Sequence, residues 1–284
     1  MSFEKFASLS PLSLGIDPHI HSMPAFMKKK LEEQGSHRFL VDFGSVFLEL
    51  ALAEKVSSLK LQMSFFESQG SEGFKAIRTL TWLAKEKGLF LILDGKRGDI
   101  ASTMAAYGSS AFEDMGADAI TVMPYMGTDS FKALLPWFKK GKCVYSVCLP
   151  SNPSADLYEK NEGAKAFALG LAASIAQFFE QEKILDSLGF VVGANRLETW
   201  LSQKSLASEQ PLLMPGIGAQ GAKLTEASTV FLRSRSCDLI PVSRGVSGFG
   251  EGYLDPELVS IANWTDYQNW MATKIQAFKK SIIT

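Results

Sequence analysis

The feature that most constrains this chain is a run of eight short apolar segments, each followed by a turn signal and then a longer stretch of helical periodicity. They are Leu12 to Asp17, Ser57 to Leu61, Leu89 to Asp94, Ala119 to Met123, Cys143 to Cys148, Gly189 to Gly193, Leu212 to Gly216 and Asp238 to Ser243. Each is apolar nearly throughout instead of alternating, which is the pattern of strands buried on both faces. Between them lie amphipathic segments such as Ser71 to Lys87 and Thr103 to Met115. Strand alternating with helix implies parallel pairing, because parallel neighbours need a crossover connection. Eight such units in 284 residues fit a closed (β/α)₈ TIM barrel better than an open doubly wound sheet. No linker, repeat or low-complexity tract divides the chain, so residues 1–284 are expected to form a single domain. Trp264 to Ile282 places Tyr267, Trp270, Met271, Ile275, Phe278 and Ile282 on one helical face, as expected of a final helix packed on the barrel.

Composition excludes several classes of function. With 29 Lys+Arg against 30 Asp+Glu, the charge is balanced and gives no footprint for a general nucleic-acid binder. No apolar run approaches the roughly 20 residues needed to span a bilayer. The N-terminal Met1-Ser2-Phe3-Glu4-Lys5 lacks the layout of a signal peptide. Cys143, Cys148 and Cys237 lie in apolar stretches and are odd in number, reading as reduced thiols in a cytoplasmic protein.

In a (β/α)₈ fold the chemistry sits at the carboxyl ends of the strands. The densest polar feature there is Asp94-Gly95-Lys96-Arg97-Gly98-Asp99. Asp94 and Lys96 are two apart and, in an extended segment, point to the same side. Asp17 and Lys60 end the two preceding strands. Alternating carboxylates and ammonium groups in a dry pocket hold one another ionised, and a lysine so flanked can serve as a general acid toward a developing carbanion. The competing reading of the Asp-x-Lys-x-x-Asp stretch is a solvated surface turn, which the company of Asp17 and Lys60 argues against.

A second feature is Pro215 to Gly221 after the seventh strand, with Ser243-Arg244-Gly245 after the eighth. These are the loops that usually bind phosphate in this fold. Glycines such as Gly218 leave backbone N–H groups free to face an anion, and Arg244 offers a bidentate grip. The same glycines also satisfy a bare strand-to-helix turn. As a dinucleotide fingerprint they fail, because only one strand follows them. His19 and His21 have no partner at metal-ligand spacing, so no metal site is expected. Lys28-Lys29-Lys30 is a wetted helical face, and His37 lies on a solvated helix or loop. The cysteines have no nearby base, and no Gly-x-Ser-x-Gly elbow is present.

The ordered set of motifs resembles the orotidine 5′-phosphate decarboxylase family, in its longer-chain bacterial branch. The matching segments are Gly15-Ile16-Asp17-Pro18, Lys60-Leu61-Gln62 through Phe66-Glu67, Asp94 to Ile100 with Ser102-Thr103, Thr121-Val122 with Pro124 to Gly127, Ser151-Asn152-Pro153, Gln220-Gly221 and Ser243-Arg244-Gly245. The resemblance implies cofactor-free decarboxylation of orotidine 5′-phosphate to uridine 5′-monophosphate and CO₂. Lys96 would stabilise and protonate a carbanion at C6, Asp94 would sit beside the departing carboxylate, and Lys60 and Asp17 would contact the ribose. Asp99 and Thr103 would cross into the partner's site, implying a homodimer with shared active sites. Ser151 would meet the pyrimidine edge, while Gln220 and Arg244 would grip the phosphate. One departure is Pro150, which restricts Leu149 and leaves Ser154 as a second candidate for the base contact. Two other readings compete: an Mg²⁺-dependent sugar-phosphate decarboxylase or aldolase of the same superfamily, and a non-enzymatic nucleotide-phosphate binder. Lys60, a cation where such metal enzymes place a carboxylate ligand, opposes the first. The intact charged set opposes the second.

Overall fold

In a computed structural model of the chain, the structure describes residues 3, 10–203, 205–216 and 238–283. Eight parallel-sheet strands follow one another: β1 (Leu12–Ile16), β2 (Ser58–Gln62), β3 (Phe90–Arg97), β4 (Ala119–Val122), β5 (Cys143–Leu149), β6 (Leu188–Val192), β7 (Leu212–Leu213) and β8 (Ile240–Val242). A short hairpin, β9 (Phe249–Gly250) with β10 (Tyr253–Leu254), comes after them. The order in the sheet is β7-β6-β5-β4-β3-β2-β1-β8, the strand order of a (β/α)₈ barrel. The eight apolar runs are thus the eight strands, with small differences in extent. The seventh is shorter than the sequence suggests: Leu212 and Leu213 alone are paired with β6, while the Met214 N–H still donates to the Leu239 carbonyl at 2.8 Å.

The chain divides into two compact units. One comprises Leu12–Asp94 with Pro241–Thr284, the other Met1–Pro11 with Gly95–Ile240.

In the first unit, β1, β2 and the start of β3 pair in parallel, with Gly15 opposite Lys60, and Gln62 opposite Asp94. Leu14, Ile16, Leu59, Leu61, Phe90 and Ile92 are all buried, as two-sided strands require. The helix Gly70–Glu86 buries Gly73, Ala76, Ile77, Leu80 and Ala84, a 3–4 spacing that makes one stripe. It packs on the long helix Ala25–Ala53 where Gly44 leaves room: a Cβ there would stand 2.4 Å from Leu80 Cδ1. Gly35, with φ of 78°, breaks that long helix near its start. The final helix, Trp264–Ile283, buries Tyr267, Met271, Ile275 and Ile282 on the expected face, while Trp270 and Phe278 are half-buried at its margin. The Tyr267 hydroxyl donates to the Ser247 carbonyl at 2.9 Å, satisfying its one buried polar atom.

In the second unit, β4, β5, β6 and β7 pair in parallel, and Leu213 bridges to Leu239 just before β8. The expected helix Thr103 to Met115 forms in two parts. An α-helix, Ala101–Gly108, gives way to a wider π turn, Ser109–Asp114. The change falls at Gly108, where Trp137 and Leu134 press so close that a Cβ would lie 2.6 Å from the indole. The helix Glu162–Gln181 is capped by the Asn161 side chain, which accepts from the Ala164 N–H at 3.0 Å.

Candidate active site

At the ends of β1, β2 and β3 the first unit gathers Asp17, Lys60 and Asp94. Side chains of Lys60, Gln62 and Asp94 share a sheet face because strand period and register agree. The Lys60 ammonium lies between two carboxylates, 3.4 Å from Asp17 Oδ1 and 3.3 Å from Asp94 Oδ2. Lys60 and Asp94 are each only 6% exposed. At such a separation each attraction is worth about 5 kcal/mol for an effective dielectric constant near 20, against a desolvation cost of several kcal/mol per ion. The two nearly cancel, so the cluster does not exist to stabilise the fold; it holds charge in a dry place. Burial alone would lower the Lys60 pKa, but attraction and hydrogen bonds from Asp17 and Asp94 outweigh it and raise the value. Lys60 therefore stays protonated.

Gln62 stands in one of the matching motif segments, where sequence reading gave it no role, and the structure puts it beside the cluster. With its amide assigned so that nitrogen meets the carboxylate, it donates to Asp94 Oδ2 at 2.8 Å and to the Asp94 backbone carbonyl at 3.1 Å. The signal was present in the sequence: Gln62 follows Lys60 by two on an extended strand. His19, beyond Asp17, packs its ring 4.2 Å from that of Phe65. Burial pulls its pKa down, with Arg244 adding to that pull and Asp17 and Glu251 opposing it. Arg244 opens a short helical turn, Arg244–Ser247, directly after β8 and is half-buried.

The second unit carries Lys96, Asp99, Thr103 and Ser151. Lys96 is exposed, and its φ of 44° lies in the left-handed region. The assumption of extended backbone from Asp94 to Lys96 therefore fails at Lys96 itself. A long side chain there costs of order 1–3 kcal/mol, and such strain gathers where function over-determines the geometry. The surroundings hold it in place. Lys96 N–H donates to Thr121 Oγ1 at 2.9 Å, the Met123 N–H donates to the Arg97 carbonyl at 2.7 Å, and the Ser130 hydroxyl donates to the Asp99 carbonyl at 2.6 Å. Arg97 stacks over the Tyr107 ring at 5.1 Å. A second strained residue, Ala101 with φ of 47°, closes the loop on its other side. Asp99 Oδ1 accepts from the Ile100 N–H at 2.8 Å, and Thr103 is exposed.

After β5, Ser151 is half-buried and Ser154 exposed. The ladder between β5 and β6 shifts register between Val147 and Leu149, just ahead of Pro150. The loop after β6 closes on Ser151: Asn195 Nδ2 donates to its carbonyl at 3.3 Å, and a Cβ at Gly193 would stand 2.7 Å from its Cα. Gly218 and Gln220 lie outside the described residues, as does Cys237. Cys143 and Cys148 are free thiols whose pKa values burial pushes up, that of Cys148 to about 12, so neither is a poised nucleophile. Among the described residues, no three His, Cys, Asp or Glu side chains are grouped to hold a metal ion, and no helix is long and apolar enough to cross a membrane.

A (β/α)₈ sheet that holds a buried lysine ammonium between two carboxylates at its strand ends has the architecture of a barrel enzyme with charge fixed at its mouth. The chain belongs to the orotidine 5′-phosphate decarboxylase / HUMPS family, whose family model matches residues 46–251. It is 36% identical over 247 residues to the orotidine 5′-phosphate decarboxylase of Streptomyces coelicolor, covering 84% of this chain and 86% of that protein. The namesake from Verminephrobacter eiseniae is 34% identical, with 86% of each chain covered. Among solved structures, Leishmania donovani OMP decarboxylase is similar at a TM-score of 0.65 and 27% identity, with 99% of both chains covered. A Streptomyces avermitilis structure reaches a TM-score of 0.70 at 29% identity, covering 100% of this chain and 96% of that one.

Proposed function

We propose that this chain, acting as one domain over residues 1–284, decarboxylates orotidine 5′-phosphate to uridine 5′-monophosphate, the last step of pyrimidine nucleotide synthesis. The observation that carries the reading is the Asp17–Lys60–Asp94 cluster, largely buried, gathered by β1, β2 and β3, the last of which also bears Lys96. In the reaction the bond from C6 to the carboxylate breaks, its electron pair stays on C6, and CO₂ departs. The Lys96 ammonium stabilises that pair and transfers a proton to C6, then regains one from solvent. Asp94 orients the charges beside the departing group, held by Lys60 and by the Gln62 amide. Lys60 and Asp17 meet the ribose. The whole sequence runs on the chain's own side chains, with no cofactor. The Lys60 ammonium fills the place between two carboxylates that a divalent cation would otherwise take, which disfavours the Mg²⁺-dependent alternative.

Ser151 makes the base contact in preference to Ser154, because the loop after β6 fixes the former while the latter faces solvent. Arg244, with Gln220 and the Gly218 loop, grips the phosphate, whose binding energy assembles the charges around the reacting carbon. Asp99 and Thr103 serve the partner's site in a homodimer. Supporting this, the second unit exposes apolar residues: Ile100, next to Asp99 in the chain, is 46% exposed, and Tyr125 is 77% exposed. The free thiols of buried Cys143 and half-buried Cys148 fit a cytoplasmic setting.

The test is a spectrophotometric assay of purified protein with orotidine 5′-phosphate, with and without excess EDTA. EDTA-indifferent loss of the orotate absorbance is expected. Turnover abolished by EDTA would return the metal-dependent reading, and no turnover by folded protein would leave only a binding function.

A further inference from the structure

Three glycines close the segment after Arg244, and they serve different ends. Gly248 has φ of 77° and Gly252 has φ of 66°, conformations that favour glycine, and they turn the chain at either end of β9. Gly250 lies between them in β9, paired opposite Tyr253, and is not among the residues of positive φ. Backbone conformation does not demand a glycine there. Space does: a Cβ on Gly250 would stand 2.3 Å from Arg244 Cδ and 2.7 Å from its Cγ.

Which side would yield is decided by anchoring. The neighbouring Phe249 is buried, its ring 5.8 Å from that of Phe43 and 6.5 Å from that of Tyr267. Its carbonyl accepts from the Ser247 hydroxyl at 3.1 Å, and the Gly248 carbonyl accepts from the Asp255 N–H at 2.7 Å. The β9 backbone is fixed, whereas the Arg244 stem turns about several single bonds. A methyl group at position 250 moves the arginine.

We propose that Gly250 is a positioning residue for Arg244: the bare β9 backbone is the wall that sets how far the guanidinium reaches toward the substrate phosphate. This rests on the reading of Arg244 as the phosphate grip. The deciding experiment measures kcat/KM and KM for orotidine 5′-phosphate and for its phosphate-free nucleoside, orotidine, in Gly250→Ala, Arg244→Ala and the double variant. Gly250→Ala is expected to raise KM for the phosphorylated substrate about ten- to hundredfold, the size of one charged hydrogen bond. The preference for phosphorylated over free nucleoside should fall by the same factor. In the Arg244→Ala background, where Cγ and Cδ are gone, Gly250→Ala should add less than twofold.

A KM within twofold of the parent for Gly250→Ala would overturn the proposal, as would equal losses on both substrates or a full effect persisting without Arg244. If Arg244→Ala itself leaves KM unchanged, the phosphate reading falls and takes this one with it. Should Gly250→Ala fail to fold, the double variant decides: folding restored by removing Arg244 upholds the contact, and failure to restore it refutes it.

Discussion

Two lysines on adjacent strands of this molecule could hardly be treated more differently. Lys60 is 6% exposed, lies on regular strand backbone, and is held between Asp17 and Asp94 at 3.4 and 3.3 Å. Lys96 is exposed and sits on backbone twisted to a φ of 44°. The first is an enclosed, paired charge, the second a charge presented on strained backbone near a strand's end. A proton donor must approach, give and recover its proton, which a fully enclosed ammonium does poorly. A charge that organises neighbouring carboxylates does best when enclosed.

The largest test of this contrast is Lys96→Ala. It should lower kcat by about 10⁴-fold or more, combining lost general-acid and electrostatic catalysis, while uridine 5′-monophosphate still binds and thermal stability hardly changes. Kinetics paired with calorimetry would show it; a variant that lost stability and activity together would erase the distinction between the two lysines. Lys60→Ala should do the reverse in stability, costing about 3–5 kcal/mol in urea unfolding because two buried carboxylates lose their counter-charge.

The pH dependence has a definite sign. The Lys60 pKa is raised in the folded state. Its contribution to stability is thus complete below the ordinary lysine value of 10.5 and is lost as pH climbs from there through the raised folded value. The parent should lose stability relative to Lys60→Met across that alkaline range, and parallel curves would refute the pairing. The smallest effect concerns backbone strain. Lys96→Gly should leave stability unchanged or raise it by up to about 1 kcal/mol, since glycine adopts the left-handed region freely. A clear loss would mean that the Lys96 side chain has a structural role.

Much of this is legible in the chain itself. Two-sided strands and amphipathic helices leave local signatures, so residue order alone locates all eight strands and the Trp264–Ile283 helix. Asp17, Lys60 and Asp94 are legible as well, because each ends an apolar run and (β/α)₈ folds put their chemistry there. Gln62 is accessible by the same period-two rule that singles out the residues around it.

What the sequence could not contain is anything set by contact between distant segments. The direction of the Gln62 amide depends on Asp94, 32 positions later, and how firmly Ser151 is held depends on Asn195 and Gly193, which follow the next strand. The twist at Lys96 breaks the extended-strand assumption because hydrogen bonds from Thr121, Met123 and Ser130 hold its loop from outside. The glycine at 250 looks like its neighbours at 248 and 252 until the arginine stem is seen against it. Periodicity and strand-end chemistry are local and written in residue order. Strain, amide orientation and steric limits arise from packing, and only the tertiary structure decides them.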